Sequence, residues 1–247
     1  MMPAPGTGVL YLLPTGLGCA DPGLLLPAEW HKVARRLDHF IAENPKTARA
    51  FLKQIDYPRP LSATMISSLD KNTAPADIPA LLAPLRQGTS VGLMSEAGCP
   101  AVADPGALLV RMAHQQGICV KPLVGPSAIL LALMASGLNG QRFAFHGYLP
   151  IEQAARGRRI RELEQQSSHN DATQIFIETP YRNNALLQAL LEHCASQTLL
   201  CVATDLTQAT EEVFTRPITE WRGRLPELGK RPAVFLIYSA PAGRRIT

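Results

Sequence analysis

The stretch VGLMSEAGCPAVADPGALLV, residues 91–110, decides the fold. It opens on a short apolar run of strand length and closes on GALLV, which leads into RMAHQQ with apolar residues recurring at helical spacing. Between them, SEAGCPAVADPG holds two glycines and two prolines, the composition of a loop. Strand, small-residue loop and helix in that order make one βα unit of a parallel sheet. In an open α/β sheet such a loop lies past the carboxyl end of its strand, where backbone N–H and C=O groups can come close to a ligand. Its acids, Glu96 and Asp104, can accept hydrogen bonds from a ribose or a cation. Asp104 before Pro105 also suits the N-cap of the following helix, with proline at its first position.

The same alternation runs outward in both directions. GVLYLLP (8–14), DHFIAE (38–43), ATMISSL (63–69), SVGLMS (90–95) and CVKPLV (119–124) read as strands, separated by helices near 28–36, 46–54, 76–87 and 105–116. They predict a first, largely parallel α/β domain over residues 1–123. GPSAILLALMASGL (125–138) predicts a helix after a Gly-Pro start. RFAFHGYLP, a charged helix at about 152–167, and the strands TQIFIET, LLCVATDL, EEVFTR and AVFLIYSA predict a second α/β domain, 124–247, with a mixed sheet and hairpin-like pairing near its end. Only PLVGPSA joins the two, so a cleft between closely packed domains is expected, and such clefts are frequent ligand sites. The terminal PAGRRIT reads as a frayed polar tail.

Composition excludes several classes. The 247 residues are 46% hydrophobic, enough for one large or two small cores. The net charge of +4 divides evenly, with 11 Lys+Arg against 9 Asp+Glu up to residue 123 and 13 against 11 beyond it, so neither half is a basic nucleic-acid clamp. Cys19, Cys99, Cys119, Cys194 and Cys201 form no CxxC pair, which disfavours a disulfide frame or a zinc site and predicts a reducing cytoplasm. No secretory leader is read at the start, and the apolar runs fall short of a membrane span, so neither a metal nor a membrane is expected as a partner.

Known cofactor fingerprints are missing too. Gly16, Gly18 and Gly23 in LPTGLGCADPGLL (13–25) do not match GxGxxG, and no GxxxxGK[ST] loop occurs, which disfavours a nicotinamide enzyme and a triphosphatase. The six histidines show no HExxH spacing and GxSxG is absent. His146 is singled out because it lies at a strand end.

Seven stretches in order, GVLYLLPTGLG, IAENPKTARAFL, VGLMSEAGCPAVADPG, VKPLVGPSAILLALMASGL, RFAFHGYLP, FIETPYR and ATDLTQATEEVFTRPITEW, resemble the tetrapyrrole-methylase superfamily of S-adenosylmethionine-dependent methyltransferases. Within it they are most similar to the small-subunit ribosomal RNA cytidine 2′-O-methyltransferase branch. The resemblance runs over residues 6–240. It implies two α/β domains, the first sheet mostly parallel and the second mixed, with S-adenosylmethionine in the cleft and a homodimeric assembly. It further implies donor contacts from Pro14, Gly16, Ser95, Ala97, Gly98, Cys99, Val102, Ser127, Ala128 and Tyr181. Methyl transfer is an in-line displacement for which the donor brings the electrophile, so small loop residues that position and desolvate it suffice.

The acceptor loops depart from that branch. Its A-E-D-T-R is AENPK here, its H-N-E is LDKNT, and its E-L-T-K is DLTQ. Asn44 thus replaces an acid, losing a possible base, and Lys46 replaces an arginine, losing a planar bidentate fork. The leading expectation is transfer to a ribose 2′-hydroxyl of small-subunit rRNA, with the small ribosomal subunit as partner. Glu43, Asp70 or His146 would take the proton and Lys46 would bind phosphate or hydroxyl. A tetrapyrrole or other small acceptor, and a donor-binding protein without turnover, stay open. RGRRIR (156–161) either meets phosphates through Arg156, Arg158, Arg159 and Arg161, or is a solvated helix start paired as Arg161–Glu164 and Arg158–Glu162.

Overall fold

The computed structural model describes residues 6–18, 21–223 and 226–241. Cys19, and the PAGRRIT tail past Pro241, lie outside them; Cys99, Cys119, Cys194 and Cys201 are free thiols. The chain divides into two compact units, Met1–Ser127 and Ala128–Thr247.

Unit 1 is built on five parallel strands, β1 (Val9–Leu13), β2 (His39–Ala42), β3 (Met65–Ser68), β4 (Val91–Met94) and β5 (Cys119–Pro122), in the order β3-β2-β4-β1-β5. Side chains alternate across the sheet, so the central strands β1, β2 and β4 each feed two cores. Leu13, Phe40, Ala42 and Met94 pack with Trp30, Val33, Ala48 and Leu52 from α2 (Ala28–Ala34) and α3 (Pro45–Gln54). Leu10, Ile41, Val91 and Leu93 pack on the other face with Ile78, Leu85, Leu109 and Ala113 from α4 (Ile78–Leu81), α5 (Ala83–Arg86) and α6 (Gly106–Gln115). A short α1 (Pro22–Leu25), capped by Asp21 Oδ1 accepting from Gly23 N at 2.8 Å, precedes α2.

The single helix expected over 76–87 is two short ones. Pro84 brings no N–H and its ring crowds the carbonyl one turn back, so the helix breaks at Leu82.

β4 lies between β1 and β2 and is buried along its whole length, as a parallel strand covered on both faces must be. Gly92 makes that possible: a Cβ there would fall 2.5 Å from Leu13 Cδ1 and 3.0 Å from Leu37 and Phe40 side chains. Gly92→Ala should therefore lower the free energy of unfolding by about 1–3 kcal/mol in urea titration, overpacking outweighing the smaller gain from a less flexible unfolded chain.

Unit 2 has the mixed sheet expected of it. β6 (Phe143–Tyr148) runs parallel to β7 (Thr173–Ile177); β8 (Leu199–Thr204), β9 (Glu212–Pro217) and β10 (Ala233–Tyr238) add antiparallel pairs in the order β6-β7-β10-β8-β9. The consecutive β8 and β9 are the hairpin-like pair. The charged helix, α8 (Gln153–Asn170), runs three residues past its predicted end. It packs on one face with α9 (Asn183–His193) and α10 (Ile218–Arg222), two helices that the sequence reading leaves out. The other face carries α7 (Ala128–Ser136). No helix among the described residues is long and apolar enough to cross a membrane.

Candidate functional site

Five parallel strands place five loops at one edge of unit 1. Their order sets β1 beside β4, yet the chain leaves β1 toward β2 and leaves β4 toward β5, on opposite sides. Loops that diverge in this way open a crevice between them, the usual ligand position of such sheets.

Here the crevice is made by residues 14–18 and 95–104, and a buried threonine ties it together. Thr15 N donates to Gly98 O at 2.9 Å, and Thr15 Oγ1 donates to Ser95 O at 3.2 Å. Ser95 Oγ donates to the same Gly98 carbonyl at 2.6 Å. Gly98 is held at φ +72°, where a Cβ would lie 3.2 Å from Leu17 Cδ2 and 3.5 Å from Pro126 O. A third loop, 123–127, joins through Cys99 Sγ donating to Pro126 O at 3.5 Å. Ala101 and Ala103 also take positive φ, 65° and 56°. For alanine this costs about 1–2 kcal/mol each, strain of the kind found at ligand clamps.

Asp104 holds the turn. Its Oδ1 accepts from Gly106 N at 2.9 Å and Ala101 N at 3.3 Å. It is not the N-cap expected of it: Pro105 holds that position with no side-chain cap, and α6 starts at Gly106, one residue later than read from the sequence, so Asp104 meets the first helical N–H from one position further out. Burial raises its carboxyl, against the pull of those two N–H groups, and Glu96 raises it further.

The sequence-predicted donor residues of unit 1 meet in these three loops. Pro14 and Gly16 flank Thr15 and are buried; Ser95, Gly98 and Cys99 line the crevice; Ala97 and Val102 stand exposed at its rim. Ser127 closes the unit half-buried, with no hydrogen bond from its hydroxyl among the described residues. In unit 2, Ala128 is the first residue of α7. Tyr181 lies in a 3-10 turn, 79% exposed, with Lys230 Nζ 5.2 Å from its ring centroid. That turn is fixed by Glu178 Oε1, which accepts from Thr179 N at 2.6 Å and from Arg182 Nε and Nη2 at 3.0 and 2.5 Å.

Three of the acceptor-side candidates follow β2 and β3. Asn44 Oδ1 accepts from Lys46 N at 3.0 Å, so the asparagine caps α3 and leaves the Lys46 side chain exposed in the first turn. Asp70 Oδ1 accepts from Asn72 N at 2.8 Å and Thr73 Oγ1 at 3.3 Å, shaping its own loop. Glu43 is half-buried. Its carboxyl is raised first by burial, then by the charges of Glu96, Asp104 and Asp70, with Lys71 opposing. Glu96 in turn accepts from Thr47 Oγ1 at 3.4 Å.

His146 sits elsewhere, on β6 of unit 2, and its tautomer follows from its partners. Gln174 Nε2 donates to Ala172 O at 3.0 Å, which turns Gln174 Oε1 toward the ring. His146 Nε2 therefore donates to that oxygen at 2.7 Å, and Nδ1 accepts from Arg159 Nη2 at 3.4 Å. Burial lowers its pKa and Arg159 adds to this, while Gln174 opposes. The ring is neutral with both nitrogens engaged. Sequence reading passed over Thr15 and the Thr47–Glu96 contact. Thr15 lay inside a quoted motif, but its burial comes from the β1–β4 register, which no local pattern displays.

Among the described residues no group of three or more His, Cys, Asp or Glu side chains is placed to hold a metal ion. The family of tetrapyrrole (corrin/porphyrin) methylases matches residues 9–221. The ribosomal RNA small subunit methyltransferase I of Xylella fastidiosa is 36% identical over 213 residues, covering 86% of this chain and 73% of that protein. The protein of the same name from Micromonospora olivasterospora is 34% identical over 227 residues, covering 92% and 66%. Among solved structures, the methyltransferase CobJ shares the fold with a TM-score of 0.63 at 20% identity, over 98% of this chain and 97% of that one.

Proposed function

Since the chain belongs to the tetrapyrrole (corrin/porphyrin) methylase family and is a methyltransferase, we propose that it moves a methyl group from S-adenosylmethionine to a ribose 2′-hydroxyl of small-subunit rRNA, in the cytoplasm. The observation that carries the donor half is the Gly98 cradle: a backbone crevice braced by Thr15 and Ser95, which a side chain at 98 would fill. The acceptor half is supported by the names of the relatives above.

Bound there, S-adenosylmethionine supplies a sulfonium methyl carbon as electrophile. Pro14, Gly16, Ser95, Ala97, Gly98, Cys99, Val102 and Ser127 hold it through close backbone approach. The parts of Ala128 and Tyr181 rest on the family resemblance. Glu43 would be the base, its carboxylate taking the proton that the acceptor hydroxyl gives up on methylation. A raised pKa suits that task better than an ordinary glutamate's. Asp70 shapes the adjoining loop, and Lys46 meets phosphate. His146, with both nitrogens engaged, positions α8 against the sheet and moves no proton.

The protein works as a homodimer. α7, AILLALMAS, is apolar on every side, yet Leu130 and Met134, one turn apart, stand 50% and 79% exposed. A helix of that composition belongs in a covered environment.

The test is transfer of tritiated methyl to small ribosomal subunits isolated from cells lacking the modification. Label in rRNA at a phosphodiester that resists alkali is the expected result, because a 2′-O-methyl group blocks the internal attack. Donor binding with no label in RNA would move the acceptor elsewhere. No donor binding would overturn the cradle itself.

A further inference from the structure

α3 carries charge of one sign. Its sequence, PKTARAFLKQ, holds Lys46, Arg49 and Lys53 and no acid, in a chain with 20 Asp and Glu against 24 Lys and Arg. At about 100° per residue, positions 46, 49 and 53 fall within about 60° of one another, so the three cations make one stripe about 10 Å long. All three are exposed. Neighbours three apart stand about 5–6 Å from each other at Cβ, where like charges repel. The opposite side of the helix is in the core: Ala48 and Leu52 are buried with Trp30 and Phe40, and Phe51 sets its ring edge-on to Trp30 at 5.8 Å.

Ion pairs do not answer this charge. A solvated helix sets acids three or four places from its bases, as α2 does with Glu29 and Lys32, 4.0 Å apart. Among the described residues none of the three cations of α3 has a carboxylate within 4.0 Å. Asn44 caps the helix with an uncharged oxygen. Glu96 meets α3 through Thr47 Oγ1 at 3.4 Å, about 100° round the helix from Lys46.

The other basic motif, RGRRIR on α8, is built differently. Neither Arg161–Glu164 nor Arg158–Glu162 forms, which corrects the solvated pairing read from the sequence. Arg159 takes Glu162 at 3.1 Å and donates to His146, Arg161 Nη1 donates to His193 Nδ1 at 3.0 Å, and Arg156 Nη1 donates to Ile151 O at 3.2 Å. Its arginines are turned to different neighbours and make no stripe.

Position gives the α3 stripe a use. Lys46 stands three residues after Glu43, and from there the helix runs back over β2 and β3. A strand whose 2′-hydroxyl reaches Glu43 can lay its neighbouring phosphates along the cations. A lipid surface would also attract them, but helices that lie on membranes bring a free apolar face, and that of α3 is buried in the core.

We propose that Lys46, Arg49 and Lys53 form a phosphate track that holds the rRNA backbone beside the nucleotide being methylated. This rests on the rRNA reading above and adds Arg49 and Lys53 to its acceptor side. Phosphate contacts fix register and carry no sequence information, so the track positions the strand and leaves the choice of nucleotide to the loops.

The test is binding of the full chain to deproteinised, fluorescently labelled small-subunit rRNA at several salt concentrations. R49Q/K53Q should weaken binding about 10-fold or more at about 0.1 M salt and reduce the slope of log K against log[salt] by about 1–2, since each phosphate contact releases somewhat less than one counterion. R158Q/R161Q removes the same charge from unit 2 and should change both much less. R49Q/K53Q should keep wild-type affinity for S-adenosylhomocysteine, which reports an intact unit 1. Wild-type affinity and slope for RNA in R49Q/K53Q overturn the track and leave the methyltransferase reading standing. Equal losses in the two double variants overturn it in favour of attraction by net charge. No RNA binding by the wild type overturns the track together with the rRNA acceptor. Binding to phosphatidylglycerol vesicles that R49Q/K53Q abolishes, with RNA binding unaffected, overturns it in favour of a lipid surface.

Discussion

Replacing Gly98 by valine should abolish saturable binding of S-adenosylhomocysteine, raising Kd at least about 100-fold in calorimetric titration while unfolding stays cooperative. Two costs combine. At φ +72° an L residue pays about 1–2 kcal/mol, and a β-branched one more. Its Cβ would then stand 3.2 Å from Leu17 and 3.5 Å from the Pro126 carbonyl, so its two methyls must push the first or third loop outward. Relief by turning the peptide would break both hydrogen bonds to the Gly98 carbonyl. A displacement that costs about 2.8 kcal/mol of binding already gives the hundredfold loss. Gly137→Val separates strain from position: Gly137 has φ +68° with nothing within 4 Å of its Cβ. It should lower the melting temperature and leave Kd unchanged. Wild-type affinity in Gly98→Val would remove the cradle from the donor site.

The readable parts of this protein were those fixed by local pattern. VGLM, buried on both faces, and LLCVAT, alternating between two cores, declare strands because burial in an α/β sheet is written directly as hydrophobicity. NNALLQALLEH does not declare itself as plainly. α9 starts behind Arg182, without a side-chain cap, and most of its apolar residues are buried in one core with α8, α10 and the sheet, so its helical face is blurred. The donor loops were legible as motifs, whereas what braces them was not. Thr15 reaches across to Ser95 and Gly98, eighty residues on, and Glu96 reaches back to Thr47. Such contacts are products of strand order, β4 having been inserted between β1 and β2. The arginines of α8 were visible at once, but only side-chain geometry reveals that Glu164 is spent on another loop and that, among the described residues, Arg158 has no ion pair.

Glu43→Gln should reduce kcat for methyl transfer by about 100- to 10,000-fold with the KM for S-adenosylmethionine little changed, the loss expected when a positioned base is removed. The pH profile tells a base from a binding group. Burial, followed by Glu96, Asp104 and Asp70, raises the Glu43 carboxyl above the ordinary glutamate value of 4.5. The carboxylate is the active form, so the acid limb of kcat/KM should lie above that value, and activity should fall as pH drops through it. In Glu43→Gln this limb should disappear. Glu96→Gln removes the first of the neighbouring charges and should move the limb toward lower pH while retaining much of the alkaline plateau. An acid limb that ignores Glu96 but vanishes with Asp70→Asn would instead make Asp70 the proton acceptor. The loop after β3 would then carry the chemistry and the loop after β2 would serve to bind the acceptor, which is the reverse of the assignment that burial and charge favour.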